Sequence, residues 1–242
     1  MTEPVSRLAN PPLFHVALRL DGERCLVVGG GPVGARKADA LLECGAAVTL
    51  VSPVVSPSVT ALASDRPSPG QAFSGRLRVL RRKYQAGDLA GCRLVVAATG
   101  LSEVDRQVFE DARALGVLVN AADDPEACEF LVPAVFRQGP VSIAVSTGGV
   151  SPYLASWLRR RLGAVIGPEV ADLAEIVGAV RGSLRGAGRS STGADWDELV
   201  DGTLWPLLLT GRREEALQAA EEWLTAELER LPGTDLALLL RE

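Results

Sequence analysis

The stretch Cys25-Leu26-Val27-Val28-Gly29-Gly30-Gly31-Pro32-Val33-Gly34 decides the architecture of this 242-residue chain. Four apolar residues read as a short buried strand, and they run straight into Gly29-x-Gly31-x-x-Gly34. Ala35 to Gly45 follows with helical spacing. Ala38, Leu41 and Leu42 share one stripe, and Gly45 stands where a helix stop is expected. Ala46 to Val51 is a second β-branched run, so a βαβ unit fits within about 30 residues. In such a unit the first glycine permits the tight turn, and the second lets backbone approach a pyrophosphate. The third lets the helix lie close on the sheet. The helix N-terminus offers unsatisfied N–H groups and partial positive charge to the anion. A dinucleotide is therefore expected at Gly29, Gly31, Pro32, Val33 and Gly34, with Ser52, Pro53 and Val54 at the end of the second strand and Thr99 at the end of a later one. No Asp or Glu follows the glycines at about 20 residues, where NAD sites usually hold the ribose. Ser52 can hydrogen-bond a ribose instead, and no basic residue stands there to read a 2′-phosphate, which favours NAD over NADP.

Working outward, residues 56–76 are rich in Ser, Pro and Gly, and their end, Arg66 to Gly75, reads as a mobile surface loop. Leu77 to Lys83 alternates apolar and basic residues like a half-exposed strand, and Leu94 to Ala98 is a buried one. Ser102 fits as an N-cap, with Val104, Val108, Ala112 and Leu115 on one helical face up to Gly116. Val117 to Val119 is the next strand. Alternating strands and helices mean an α/β fold with a parallel sheet of Rossmann type. Thereafter the pattern changes. Phe130 to Arg137 and Val141 to Ser146 flank a Gln138-Gly139-Pro140 turn, and a helix runs from Tyr153 to about Val165. From Gly167 onward only helical patterns occur, interrupted by a flexible-looking Gly182 to Gly193, with Trp205, Leu208, Leu217, Trp223 and Leu228 on apolar faces. The expected organisation is a dinucleotide-binding domain over 1–132, a pairing segment over 133–166 and a helical C-terminal domain over 167–242.

Composition narrows the chemistry. The net charge of −5 divides into +3 over residues 1–166 and −8 over 167–242, so the part expected to hold anions is mildly basic. The acidic total argues against a general nucleic-acid binder. No apolar run approaches the roughly 18 residues of a membrane span, and the N-terminus lacks the pattern of a signal peptide, so a cytoplasmic protein is expected. Cys25, Cys44, Cys92 and Cys128 are far apart, with no Cys-x-x-Cys pair, and read as buried reduced thiols rather than metal ligands. His15 is the one histidine, which leaves little for a Ser-His-Asp triad or a zinc site, and it reads as structural.

Five stretches in this order resemble the precorrin-2 dehydrogenase family, the module of siroheme synthases that in some members is also a sirohydrochlorin ferrochelatase. They are LVVGGGPVGARKADALLECGAAVTLVSP (26–53), VVAATG (95–100), VNAADDPEACEFLVPA (119–134), VSIAVSTGGVSP (141–152) and LASWLRRRL (154–162). The resemblance implies NAD-dependent oxidation of the tetrapyrrole precorrin-2 to sirohydrochlorin, with iron insertion as a possible second activity. It also implies a homodimer formed through 133–166, with the C-terminal helices closing over substrate. The methyltransferase domain of fused siroheme synthases has no counterpart here, so precorrin-2 is expected to arrive ready-made. Asp123 matches the family's catalytic aspartate, which implies a general base, or a metal-contacting carboxylate if chelation occurs. By themselves Asp123-Asp124-Pro125 read equally as a turn or a helix cap.

In an open α/β sheet the ligand crevice lies beyond the carboxyl ends of the strands, which places Asn120 and Asp123 at it. Thr147, Gly148, Gly149 and Ser151 form a second glycine turn ahead of a helix, where a substrate carboxylate could sit; the alternative is a turn that only starts the helix. The family often has a serine where this chain has Thr147. Arg159, Arg160 and Arg161 read as a solvated face or as partners for substrate carboxylates, and Arg36 and Lys37 as exposed residues of the first turn or as neighbours of the pyrophosphate. A reading from another class is a dinucleotide-sensing module whose helical tail signals to a partner. The second cluster of polar residues favours the enzyme, because a sensor needs no second ligand site.

Overall fold

The computed structural model describes residues 12–64, 77–122, 124, 127–189 and 195–230. Within residues 1–132 the elements are β1 (Arg24–Val28), α1 (Pro32–Glu43), β2 (Ala47–Val51), α2 (Pro57–Ser64), β3 (Leu77–Leu80), β4 (Leu94–Ala97), α3 (Ser102–Ala114) and β5 (Leu118–Ala121). A short 3₁₀ turn over Ala86–Leu89 precedes β4. The strands form one parallel sheet in the order β3-β2-β1-β4-β5, with Cys25 opposite Val48 on one side and Leu94 on the other. This is the Rossmann-type arrangement expected of the alternating pattern. The chain winds outward from β1 to β3 and then returns to β4 on β1's other side. The C-terminal ends of β1 and β4 thus flank the topological switch point, where such sheets bind ligands.

A parallel sheet is covered on both faces, so its central strands are apolar throughout. Cys25 and Val27 of β1 join Ala35, Ala38, Val48, Leu50 and Val59 in one core, while Leu26 and Val28 join Val95, Val108, Ala112 and Val119 in the other. Each fully buried Val or Leu contributes about 1.5–3 kcal/mol relative to exposure. The residues α1 lays on the sheet are small, Gly34, Ala35 and Ala38, which brings helix and strand backbones close. Leu41 and Leu42 pack at the edge of that core, and Gly45, at φ +80°, ends the segment as its sequence suggests.

Pro57–Ser64 is helical, and Ser56 Oγ accepts from Val59 N–H at 3.4 Å to start it; the loop expected over 66–75 lies outside the described residues. Three sequence expectations are corrected here. Ser102 is the first residue of α3 and makes no cap bond, because the turn ahead of it is organised by Thr99 and Asp105. Leu115 is exposed rather than on the buried face, since the helix ends at Ala114 and leaves it on the turn. Of the four free thiols only Cys25 is fully buried; burial pushes its pKa up to about 12, and the other three are half-buried.

The described residues within 133–147 and 151–230 make up a second compact unit; residues 148–150 group with the first. In the second unit β6 (Ala134–Gln138) and β7 (Val141–Val145) form an antiparallel hairpin across the Gly139-Pro140 turn. It is followed by α4 (Pro152–Val165), α5 (Glu169–Gly186), α6 (Trp196–Leu199), a π turn over Val200–Leu204, α7 (Trp205–Leu209) and α8 (Arg213–Arg230). Gly163 lets α4 lie on Phe136 of the hairpin: an added Cβ would stand 2.8 Å from its ring. Helix α5 continues through Gly182 to Gly186, so the interruption begins later than the glycine count suggests; Ile176, Val180 and Leu184 bury one face and hold it helical. Leu199, Leu204, Leu208, Ala216 and Ala220 complete that core, with Trp196 and Trp223 stacked at 5.6 Å beside it. Leu217 is exposed, because Ala216 and Ala220 face the core in its place. Arg213 at the start of α8 bridges Asp172 and Glu175 of α5.

Candidate functional site

The Gly29–Gly34 turn owes its glycines to backbone crowding. Gly29 has φ +125°, and a Cβ there would stand 2.2 Å from the Ala98 carbonyl oxygen. At Gly30 a Cβ would meet the Val54 carbonyl at 2.2 Å, and at Gly34 the Gly29 carbonyl at 2.1 Å. Gly31 is different: a Cβ there meets nothing within 4 Å, so its backbone faces open space. Gly31 also precedes α1 without any side-chain cap, and Pro32 occupies the position where a missing N–H costs nothing. The first-turn N–H groups of α1 therefore have no partner from a capping side chain.

That open space is part of a cavity of about 780 Å³ at the C-terminal ends of β1, β2 and β4, within the size range of cofactor clefts. Of the residues expected from sequence, Gly29, Gly31, Ser52, Pro53, Val54 and Thr99 line it. Pro32, Val33 and Gly34 do not; they form the first turn of α1 behind the glycines. Ser52 is nearly buried and donates its hydroxyl proton to the Val54 carbonyl at 2.7 Å, so only its oxygen lone pairs remain for a ribose.

Sequence reasoning missed Gly30, Lys83, Tyr84, Leu101, Val104 and Gln107, which also line the cavity. Leu101, Val104 and Gln107 come from the start of α3, and Lys83 and Tyr84 from the segment after β3. A signal existed, because ligand crevices gather residues from the ends of every strand, not only the first two. Among the described residues that line the cavity, Lys83 is the one charged residue and none is a carboxylate. The Tyr84 hydroxyl donates to Asp111 Oδ2 at 3.0 Å, and burial together with that carboxylate pushes its pKa well above the usual tyrosine value. Tyr84 is a neutral wall residue.

A smaller cavity of about 230 Å³ opens beyond β4 and β5, lined among others by Ser102, Asp105, Arg106, Ala121 and Asp124. Asp123 lies outside the described residues. On its N-terminal side Ala122 N–H donates to the Ala97 carbonyl at 2.8 Å, so the chain leaves the sheet at the ligand-side end of β5. Asn120 lines neither cavity. It is buried, and its Nδ2 donates to the Phe130 carbonyl at 2.9 Å and to Cys128 Sγ at 3.3 Å, while Oδ1 has no hydrogen-bond partner among the described residues. The Cys128 thiol, its pKa raised by burial, lies within bonding distance of the Ala121 and Asp124 carbonyls at 3.1 and 3.2 Å. Asn120 and Cys128 thereby tie down the described ends of the segment that contains Asp123.

The second glycine turn satisfies itself. Thr147 Oγ1 accepts from Ser151 N–H at 3.1 Å, and Ser151 Oγ accepts from Leu154 N–H at 3.1 Å and caps α4. Gly148 and Gly149 supply φ +62° and +85°, with no close neighbour that would exclude a side chain. Arg161 lies over the Trp157 ring at 5.3 Å on the exposed side of α4. Lys37 is half-buried rather than exposed, and burial, with Arg36 beside it, lowers its pKa. His15 is exposed, in the segment ahead of β1. No group of three His, Cys, Asp or Glu side chains is placed to hold a metal among the described residues. No helix of the described residues is long and apolar enough to cross a membrane.

Comparison with known proteins agrees with this geometry. Residues 16–134 match a family described as putative NAD(P)-binding, and residues 138–164 match the sirohaem biosynthesis protein central family. A siroheme synthase of Methylobacillus flagellatus is 34% identical over 218 residues, covering 88% of this chain and 44% of the relative. One of Pseudomonas putida (strain W619) is 38% identical over 207 residues, covering 85% of this chain and 42% of the relative. The chain thus spans less than half the length of the curated relatives it matches. A solved structure of SirC, precorrin-2 dehydrogenase, superposes with a TM-score of 0.60 at 27% identity, covering 90% of this chain and all of that one. With a nicotinamide-dinucleotide fold in its first unit and a sirohaem-specific segment following it, the chain belongs to the siroheme synthase and precorrin-2 dehydrogenase family.

Proposed function

We propose that this protein oxidises precorrin-2 to sirohydrochlorin with NAD, releasing NADH and a proton. The observation that carries the reading is the uncapped glycine turn opening into the 780 Å³ cavity at the switch point of the sheet. The residues fit a dinucleotide. Gly31 leaves room for a pyrophosphate, the start of α1 offers it N–H groups, and Val54, Leu101 and Val104 give the cavity apolar walls. NAD supplies a two-electron hydride acceptor, and the protein supplies orientation and proton transfer. A 2′-phosphate is ordinarily read by arginine, and none of the described residues lining this cavity is one, which supports NAD over NADP.

Removing a hydride from a reduced tetrapyrrole leaves a proton to be taken up, and we assign Asp123 as the base. Its support is the match to the family's aspartate and its place in the sequence, two residues after Ala121, where β5 ends on the ligand side of the sheet. The assay is NADH absorbance on mixing protein, NAD and precorrin-2. Asp123→Asn is expected to lower turnover by about a hundredfold or more, the usual contribution of a general base, with NAD affinity kept. Full turnover in that variant removes Asp123 from the role, and absence of NADH with the wild type overturns the function. Adding iron after oxidation shows whether insertion outruns the rate in buffer, the second activity that the family resemblance implies.

Domain roles follow the same reading: 1–132 binds NAD, 133–166 pairs two copies, and the helices of 167–242 belong to substrate enclosure, in a cytoplasmic homodimer. The pairing is supported by exposed apolar residues on α4, Tyr153, Leu154, Trp157 and Val165, which a second copy would cover. Sedimentation is expected to give a dimer, and Val165→Glu a shift towards monomer.

A further inference from the structure

We propose that Asp105 is a positioning residue for the dinucleotide, acting through Thr99; this rests on the cavity being a dinucleotide site. Asp105 stands in the first turns of α3 and is only 8% exposed. Its Oδ1 accepts from Thr99 Oγ1 at 2.7 Å and from Thr99 N–H at 3.2 Å. Thr99 in turn lines the cavity directly after β4, where Ala98 and Thr99 press against Gly29 so closely that a Cβ would touch both. The carboxylate therefore holds the wall that faces the glycine turn.

The hydrogen-bond count at Thr99 gives the consequence. A hydroxyl has one proton and two acceptor positions. The carboxylate at 2.7 Å takes the proton in preference to the Leu101 carbonyl at 3.3 Å, since charge-assisted bonds are the stronger. Leu101 N–H, at 3.0 Å, uses one acceptor position. One lone pair remains, so Thr99 presents an acceptor and no donor to the cavity. The matching ligand group must donate. Thr99 lies at the end of β4, across the switch point from Ser52, so the donor belongs to the nicotinamide half: a ribose hydroxyl or the carboxamide N–H. Without Asp105 the Thr99 proton is free to turn inward and its N–H loses its acceptor.

The test is equilibrium binding of NAD and of ADP-ribose, which keeps the ribose hydroxyls and lacks the carboxamide. Asp105→Ala and Thr99→Val are each expected to weaken NAD binding about tenfold, the size of one hydrogen bond. The double variant should be no weaker than the worse single one, because both remove the same interaction. Asp105→Asn and Thr99→Ser, which keep the acceptor and the hydroxyl, should stay within about threefold of wild type. An equal loss for ADP-ribose assigns the ribose hydroxyl, and a loss for NAD alone assigns the carboxamide. If Asp105→Ala lowers only the melting temperature, or if the two effects multiply, Asp105 does not act through Thr99 and the proposal fails. If the wild type binds neither ligand, the dinucleotide reading itself is overturned.

Discussion

Two turns in this chain carry nearly the same signature, glycines followed by a proline that opens a helix, and they do opposite things with it. At Gly29–Gly34 three glycines are required because neighbouring carbonyls stand where their side chains would be, and no side chain caps the helix. At Gly148–Pro152 the glycines take left-handed backbone with room around them, and Ser151 caps the helix while Thr147 braces the turn. A helix N-terminus binds an anion only if its N–H groups are free. The first turn leaves them free and faces a cavity; the second uses its best donor position internally. Glycine content marks a tight turn, and the capping residue separates a helix start with free N–H groups from one whose N–H groups are in use.

The contrast can be broken most forcefully at Gly29 and Gly34. Alanine at either combines overlap with a carbonyl and, at Gly29, a strained φ, and should cost about 3 kcal/mol or more. Thermal or urea denaturation should show a large loss or no folded protein, and near-normal stability would mean the turn is looser than described. Gly31→Ala sharpens the contrast, because the folded state has room for the methyl group. Melting temperature should hardly move, while NAD affinity falls by about tenfold because the methyl occupies the space left for the pyrophosphate. At the second turn, Ser151→Ala should cost about 1 kcal/mol through its lost cap and leave NAD affinity unchanged by calorimetry. Gly148→Ala should cost roughly the same, through its positive φ, again without effect on NAD binding. A drop in NAD affinity in either variant would give the second turn a ligand role.

The site divides along the same line. Gly29, Gly31 and Thr99 could be picked out because each follows a run of four or five apolar residues that must be a strand, and a strand's end is where a crevice opens. Lys83, Tyr84 and Gln107 carried only the general signal that every strand's end can contribute to a crevice; they reach the cavity because β3 lies beside β2 and α3 follows β4. Asn120 shows the converse. Its position at the end of β5 was legible, but its amide turns away into the bonds with Cys128 and Phe130. Ser102 had the right type for a cap, yet the turn ahead of α3 is held by the bond from Thr99 to Asp105.

By itself the sequence determined the order of strands and helices, the glycine turn and its dinucleotide chemistry, the hairpin after the sheet and the helical character of the rest. Those features depend on periodicity and backbone freedom, which act over a few residues. Only the tertiary structure decided which side chains converge on the cavity and which polar groups satisfy one another. It also decided that of two glycine turns only one opens onto that cavity. Convergence depends on strand order and register, set by contacts between residues far apart in the chain, and a hydroxyl or amide shows its role only once its partners are in place.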